Sequence, residues 1–80
     1  MRDEWQYTDR GLMKNFKFKN FIQAIDFINK VAQVSESIKH HPDIHLENYN
    51  QVRLIIFTHS DQKITIKDHE LASKINEIED

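Results

Sequence analysis

The sequence predicts an α+β fold: a four-stranded antiparallel sheet with its helices packed on one face, in the element order β-β-α-β-β-α. Two stretches, 5–18 and 44–58, have the alternation and composition of half-buried strands. Two others, 21–41 and 65–78, repeat apolar residues every three or four positions, as amphipathic helices do. Because 80 residues allow only one hydrophobic core, residues 1–80 are predicted to form a single domain.

The first two strands are predicted to form a hairpin. Trp5 to Thr8 and Leu12 to Phe18 are strand-like, and the intervening Asp9-Arg10-Gly11 supplies turn residues. Gly11 can take a positive φ angle without steric cost. In the second arm phenylalanines alternate with lysines, which indicates one buried face and one solvated face.

The principal helix is predicted to begin after Asn20 and to end by about His41. Asn20 is a good N-cap, since its side chain can accept a hydrogen bond from the amide of Gln23. The ring of Pro42 disfavours helical dihedral angles in the residue before it. The apolar stripe between these limits consists of Phe21, Ala24, Ile25, Ile28, Val31, Ala32 and Ile38.

A second hairpin is predicted to follow this helix. Ile44 to Tyr49 and Gln51 to Thr58 have strand character, and the asparagines near 48–50 tolerate the left-handed geometry of a tight turn. The last strand is apolar on both faces, because Ile55 and Phe57 lie opposite the row that begins at Val52. One of the two faces is therefore predicted to meet another subunit.

The chain is predicted to close with an amphipathic helix. Thr65 and Asp68 have capping-box spacing, which makes Asp68 an N3 carboxylate stabilised by the helix dipole. The apolar stripe that follows is Leu71, Ala72, Ile75 and Ile78.

Composition excludes several classes of function. Without cysteine, the chain has neither a disulfide framework nor a thiolate nucleophile. Eleven basic residues against thirteen acidic ones give a net charge of −2, so no basic field favours nucleic acid. No run approaches the roughly 18 apolar residues of a membrane span. We expect a soluble, cytoplasmic protein, and the small core predicts association into a homo-oligomer.

Three of the five histidines fall at the ends of predicted elements, where functional side chains are usually displayed. His40 and His41 lie at the helix exit, and His59 follows the long strand. Glu36 precedes His40 by four residues, so its carboxylate is predicted to orient that imidazole. Neighbouring imidazoles could supply an acid and a base near pH 7. The doublet is equally compatible with a solvated helix terminus favoured by the helix dipole.

Metal and covalent chemistry are not favoured. Adjacent histidines rarely ligate one ion together, and the sequence has no HExxH pair or carboxylate cluster that would complete a metal site. There is no Gly-x-Ser-x-Gly elbow and no glycine-rich phosphate loop. The sequence therefore favours neither a metal site nor covalent catalysis nor nucleotide binding.

The chain resembles the pterin-4a-carbinolamine dehydratase family over nearly its whole length. Its matching fragments, in order, are Phe16-x-Phe18-x-x-Phe21-x-x-Ala24-x-x-Phe27, Glu36-x-x-x-His40-His41-Pro42-Asp43, Tyr49-Asn50-x-Val52, Thr58-His59 and Thr65-x-x-Asp68-x-x-Leu71-Ala72. The resemblance implies loss of water from 4a-hydroxytetrahydropterin to give quinonoid dihydropterin, during pterin recycling after aromatic amino acid hydroxylation. It also implies homodimers or homotetramers and no cofactor.

The resemblance also implies roles for individual residues. His40 and His59 would form the acid/base pair, His41 would contact the pterin, and Glu36 would orient or polarise the site. The predicted substrate contacts are His41, Thr58, Asp68 and Trp5, with Asp68 contributing indirectly.

Two departures from the family pattern are expected to alter substrate contacts. Lys39 stands where the family often has a small polar or acidic residue, and Lys63 stands where a glycine is common. The family also includes a dimerisation cofactor for a homeodomain transcription factor. The alternative is therefore a non-catalytic dimerisation or regulatory binding module of the same fold, with an unknown protein partner.

Overall fold

The computed structural model describes residues 5–79, which form four strands and two helices in the predicted order. In chain order they are β1 (Gln6–Thr8), β2 (Gly11–Lys17), α1 (Phe21–Ile38), β3 (Asp43–Glu47), β4 (Gln51–Ile56) and α2 (Ile66–Glu79). Gly11 has a φ angle of 126°, which confirms the expected use of glycine in the first turn. The predicted α+β class is correct.

The four strands form one antiparallel sheet in the order β1-β2-β4-β3. Pairing of Leu12 with Ile56 and of Phe16 with Val52 places the apolar residues of β2 and β4 on one face. Both helices cover this face. The buried cluster is Leu12, Phe16, Ala24, Phe27, Val31, Val52, Leu54, Ile56, Leu71, Ala72 and Ile75.

The opposite face of the sheet carries the second apolar row. Ile55 lies between Met13 of β2 and Asp43 of β3, outside the main cluster, yet it is only 3% exposed. Phe57 is half-buried. Other residues of the same chain therefore shield most of this second apolar row from solvent. The row exposes less apolar surface than the sequence pattern of β4 predicts.

Helix α1 begins as predicted and ends shortly before the predicted limit. The Asn20 side chain accepts a hydrogen bond of 2.8 Å from the amide of Gln23. At the other end Lys39 adopts a left-handed conformation with φ 56°, and the amide of His40 donates to the carbonyl of Ser35 at 3.1 Å. This Schellman-type ending turns the chain away from the helix axis before Pro42 takes effect. His40 and His41 consequently lie beyond the helix.

Strand β4 is two residues shorter than predicted. After Ile56 the chain leaves the ladder, and Thr58 pairs with Lys63 in an isolated antiparallel bridge around the turn 59–62. The carbonyl of His59 accepts a hydrogen bond from the amide of Gln62 at 3.2 Å. His59 is thus held at the start of a closed turn.

Candidate active site

Four of the residues singled out from the sequence line one open cavity of about 380 Å³. They are His40, His41, Thr58 and His59. This cavity, which we call the histidine cavity, lies where the C-terminal end of α1, the segment after β4 and the first turn of α2 meet. Its other lining residues are Lys39, Phe57, Ser60 and Lys67.

The imidazole of His40 pairs with Asp68, not with Glu36 as predicted. Its Nε2 lies 2.6 Å from Oδ1 of Asp68, 28 positions later in the chain. The predicted partner depended on helical geometry through residue 40, whereas α1 ends at Ile38 and Lys39 reverses the chain. The end of the helix therefore removes the four-residue alignment of Glu36 with His40.

Asp68 is completely buried and has hydrogen-bond partners on both carboxylate oxygens. Its Oδ2 accepts from the backbone amide of Thr65 at 2.7 Å and from the hydroxyl of Thr58 at 2.8 Å. The hydroxyls of Thr58 and Thr65 are 2.7 Å apart, and since the Thr58 proton goes to Asp68, Thr65 donates to Thr58. One carboxylate therefore joins the start of α2, the end of the sheet and His40.

These contacts also fix the charge of Asp68. Burial by itself raises the pKa of this carboxyl, because a low-dielectric environment disfavours the charged form. The hydrogen bonds from His40, from the Thr65 amide and from Thr58, together with attraction to His40, outweigh burial and lower the pKa below the ordinary 3.8. Asp68 is consequently ionised at neutral pH.

The ionised carboxylate of Asp68 determines which nitrogen of His40 carries the shared proton. Because a carboxylate only accepts hydrogen bonds, Nε2 of His40 carries the proton shared with Asp68. Nδ1 is then the nitrogen that can exchange a proton with a ligand. This arrangement, in which a buried carboxylate holds one tautomer of an imidazole, suits a general base.

Glu36 pairs instead with the second histidine of the doublet. Nε2 of His41 lies 2.6 Å from Oε2 of Glu36, but the two side chains are 58% and 77% exposed. Water competes with such a pair, which is typically worth no more than about 1 kcal/mol. The Glu36–His41 pair therefore constrains its histidine much less than Asp68 constrains His40.

His59 completes the cavity from the turn after β4. Its ring makes an edge-to-face contact with Phe57, with centroids 5.1 Å apart. No other side chain among residues 5–79 hydrogen-bonds to this imidazole. Both of its nitrogens are accordingly available to a ligand.

Trp5 lies in a different part of the molecule. Its indole Nε1 donates to Oδ1 of Asn76 on α2 at 3.0 Å, and the ring lines a separate cavity of about 270 Å³ with Tyr7 and His69. Trp5 therefore does not line the histidine cavity of its own chain. Its predicted substrate contact stays a prediction.

The sequence did not indicate the pairing of Asp68 with His40 or the place of Lys67 in the cavity wall, although it did mark Lys39 as a departure from the family pattern. The capping box at Thr65 explained Asp68 as a structural residue, and this role is confirmed by the bond to the Thr65 amide. A carboxylate has a second oxygen, and that oxygen reaches His40. The only available signal was that Asp68 belongs to the last motif of the family resemblance.

Two further observations bear on the class of protein. Within the ranges that the structure describes, no three histidine, aspartate or glutamate side chains converge in a way that could hold a metal ion. None of the helices in this part of the chain has the length and apolar character needed to cross a membrane.

Comparison with known families decides the relationship. The profile described as pterin 4 alpha carbinolamine dehydratase matches residues 1–78. The chain belongs to this family. A family relative from Sulfolobus acidocaldarius, provisionally named a pterin-4-alpha-carbinolamine dehydratase, is 44% identical over 75 residues. The match covers 94% of this chain and 81% of the relative.

Solved structures show the same fold in proteins of the dehydratase type. A crystal structure described as a transcriptional coactivator/pterin dehydratase from Brucella melitensis matches with a TM-score of 0.86 at 36% identity, covering 95% of this chain and 82% of that one. A pterin dehydratase-like protein described as a RuBisCO assembly factor in the alpha-carboxysome matches with a TM-score of 0.75 at 20% identity, covering 91% and 86% of the two chains. The second match concerns the fold alone.

Proposed function

We propose that this protein dehydrates 4a-hydroxytetrahydropterin to quinonoid dihydropterin in the histidine cavity, with histidines as acid and base. Membership of the dehydratase family supports the reaction class. The observation that carries the residue assignment is the short contact of 2.6 Å between His40 and the buried, ionised Asp68.

The reaction needs two proton transfers and no electron transfer. One pterin ring nitrogen loses its proton, its electron pair forms a new double bond to C4a, and the C4a–O bond breaks as the hydroxyl receives a proton and leaves as water. His40 takes the ring proton through Nδ1, because Asp68 holds its Nε2–H. His59 protonates the departing hydroxyl. Proton exchange with solvent then restores both rings.

The other site residues bind the pterin or hold His40 in place, and they do not transfer protons. His41 contacts the pterin through Nδ1, since Glu36 occupies its Nε2. Thr58 has its proton committed to Asp68, so its main contribution is to hold that carboxylate in place. Thr58 and Asp68 are therefore positioning residues for His40.

A dehydratase assay tests this proposal directly. The purified protein should accelerate dehydration of a 4a-hydroxypterin generated in situ by an aromatic amino acid hydroxylase, read as faster formation of quinonoid dihydropterin. The matched control is a folded variant in which His40, His41 and His59 are all replaced. Equal rates with the two proteins would refute histidine-dependent dehydration.

A second candidate is a non-catalytic binding module of the same fold. It is favoured by the Brucella melitensis relative, which is described as a transcriptional coactivator as well as a dehydratase. The same triple-histidine variant separates the two functions. If it supports the cellular function as well as the wild type does, the module is the physiological role.

We also propose that the protein forms a homodimer or homotetramer. Among residues 5–79 the sheet ends in two unpaired edges, at β1 and β3, and the large hydrophobic side chains of Ile44 in β3 and Tyr7 in β1 are exposed there. Sedimentation velocity at micromolar concentration should give a mass of two or four chains. A single species with the mass of one chain, 9.6 kDa, would contradict this expectation.

A further inference from the structure

The walls of the histidine cavity carry basic side chains and no carboxylate of their own. Lys39 and Lys67 line it together with the three histidines, and its other polar lining residues are Thr58 and Ser60. Two acidic residues next to the cavity are already paired: Asp68 is buried and contacts His40, and Glu36 pairs with His41. A ligand in this cavity therefore meets two lysines and no carboxylate on the cavity wall.

Neither lysine is neutralised by the rest of the described chain. Between residues 5 and 79, no hydrogen bond or ion pair engages the ammonium group of Lys39 or of Lys67, and both side chains are exposed. By contrast, the half-buried Arg53 donates to both carboxylate oxygens of Glu47, at 2.7 and 2.8 Å. The two cavity lysines thus remain available to an anion from outside the chain.

Both lysines start from well-defined backbone positions. Lys39 is the left-handed residue that ends α1, and its amide hydrogen-bonds to the carbonyl of Glu36. Lys67 is the second residue of α2, and its amide donates to the hydroxyl of Thr65 at 3.3 Å. Two flexible cations anchored at fixed points on the rim of one cavity suit recognition of a charged substituent.

We infer that the pterin used by this protein carries an anionic substituent, a phosphate or a carboxylate, which Lys39 and Lys67 bind while the ring meets the histidines. This inference rests on the proposed dehydration and specifies its substrate class. The pterin ring is uncharged and offers the lysines only neutral hydrogen-bond acceptors, whereas an anionic substituent offers a charge-assisted bond that is about twice as strong. Salt weakens such an interaction, because charges are screened over about 8 Å at physiological ionic strength.

Binding of matched dihydropterins tests the inference without requiring turnover. We would titrate the protein with 7,8-dihydroneopterin and with its 3′-phosphate, which differ only in the phosphate, and with 7,8-dihydrofolate as the carboxylate-bearing ligand. At low salt the phosphate ester should bind about tenfold or more tightly than the neutral compound. A preference shared by dihydrofolate indicates recognition of carboxylate as well as phosphate.

Three lysine variants test which side chains bind the phosphate group. Lys39→Gln and Lys67→Gln should each weaken binding of the phosphate ester by about threefold to tenfold and leave binding of 7,8-dihydroneopterin unchanged. Lys30→Gln, an exposed position on α1 outside the cavity, is the matched control and should change neither affinity. Equal affinities for the phosphate and neutral ligands in the wild type would overturn the inference, as would equal losses in all three variants.

Measurements of kcat/KM distinguish failure of this inference from failure of the proposed dehydration on which it rests. Histidine-dependent dehydration of neutral and phosphorylated 4a-hydroxypterins at the same kcat/KM would overturn only the substrate assignment. Absence of histidine-dependent turnover with either substrate would overturn the dehydration itself.

Discussion

Replacing His40 with glutamine is expected to lower kcat/KM for dehydration by about 10²–10⁴-fold, the usual contribution of a general acid or base. Glutamine is chosen because its amide can still donate to the buried carboxylate of Asp68, which alanine would leave without its partner. The variant should therefore remain folded while losing the imidazole. Activity would be measured with the 4a-hydroxypterin assay and stability by urea denaturation.

The other histidines provide a graded comparison. His59→Ala should cause a loss of activity as large as that of His40→Gln. Its stability cost should be no more than about 1 kcal/mol, because the ring contacts Phe57 and no other side chain among residues 5–79 hydrogen-bonds to it. His41→Ala should cause a smaller loss, about tenfold, as expected of a binding contact. His45→Ala, on the opposite face of the sheet, is the control and should retain wild-type kcat/KM.

The pH profile distinguishes a base from a residue that only shapes the cavity. A base must be unprotonated to act, so it produces the rising limb of kcat/KM at acidic pH. His40→Gln should flatten that limb. If His40→Gln keeps the limb, or if His45→Ala loses as much activity as His40→Gln, the assignment of His40 as the base is wrong.

Replacing Asp68 with alanine is expected to lower the free energy of unfolding by about 3 kcal/mol at pH 7. The change removes a buried acceptor from His40, from the Thr58 hydroxyl and from the Thr65 amide. Each of these hydrogen-bond donors then lies in a buried or partly buried site without an acceptor, which costs free energy. Asp26→Asn, at an exposed position on α1, is the control and should stay within about 0.5 kcal/mol of the wild type.

The conservative variant Asp68→Asn should separate stability from activity. An asparagine oxygen can still accept from the threonines, while its amide nitrogen donates to Nε2 of His40 and so favours the tautomer with the proton on Nδ1. We expect a stability loss of about 1 kcal/mol but a fall in kcat/KM of at least about tenfold. Wild-type activity in a folded Asp68→Asn protein would refute the positioning role.

Acidification should reduce the stability advantage of the wild type over Asp68→Asn. The pKa of Asp68 is lowered in the folded state, so its ionised form stabilises the fold above the ordinary pKa of 3.8. This contribution is lost as the pH falls through the lower, folded-state pKa. Urea denaturation at pH 7 and at about pH 3 should show the difference between the two proteins shrinking, whereas a constant difference would contradict the assignment.

Local patterns in the sequence determined the elements and their order. The N-cap at Asn20 and the capping box at Thr65 depend on neighbours three residues apart, and both appear in the structure as predicted. Alternation likewise identified the buried face of β2 and β4. These features depend on backbone geometry over a few residues, so the local sequence is enough to predict them.

The pairing of carboxylates with histidines was decided only by the tertiary structure. The four-residue spacing of Glu36 and His40 is meaningful inside a helix, but the left-handed Lys39 ends α1 one residue before His40. His40 then reaches Asp68 across 28 positions, because α2 packs its first turn beside the end of α1. Contacts across such a chain reversal depend on how whole elements pack, which no local spacing specifies.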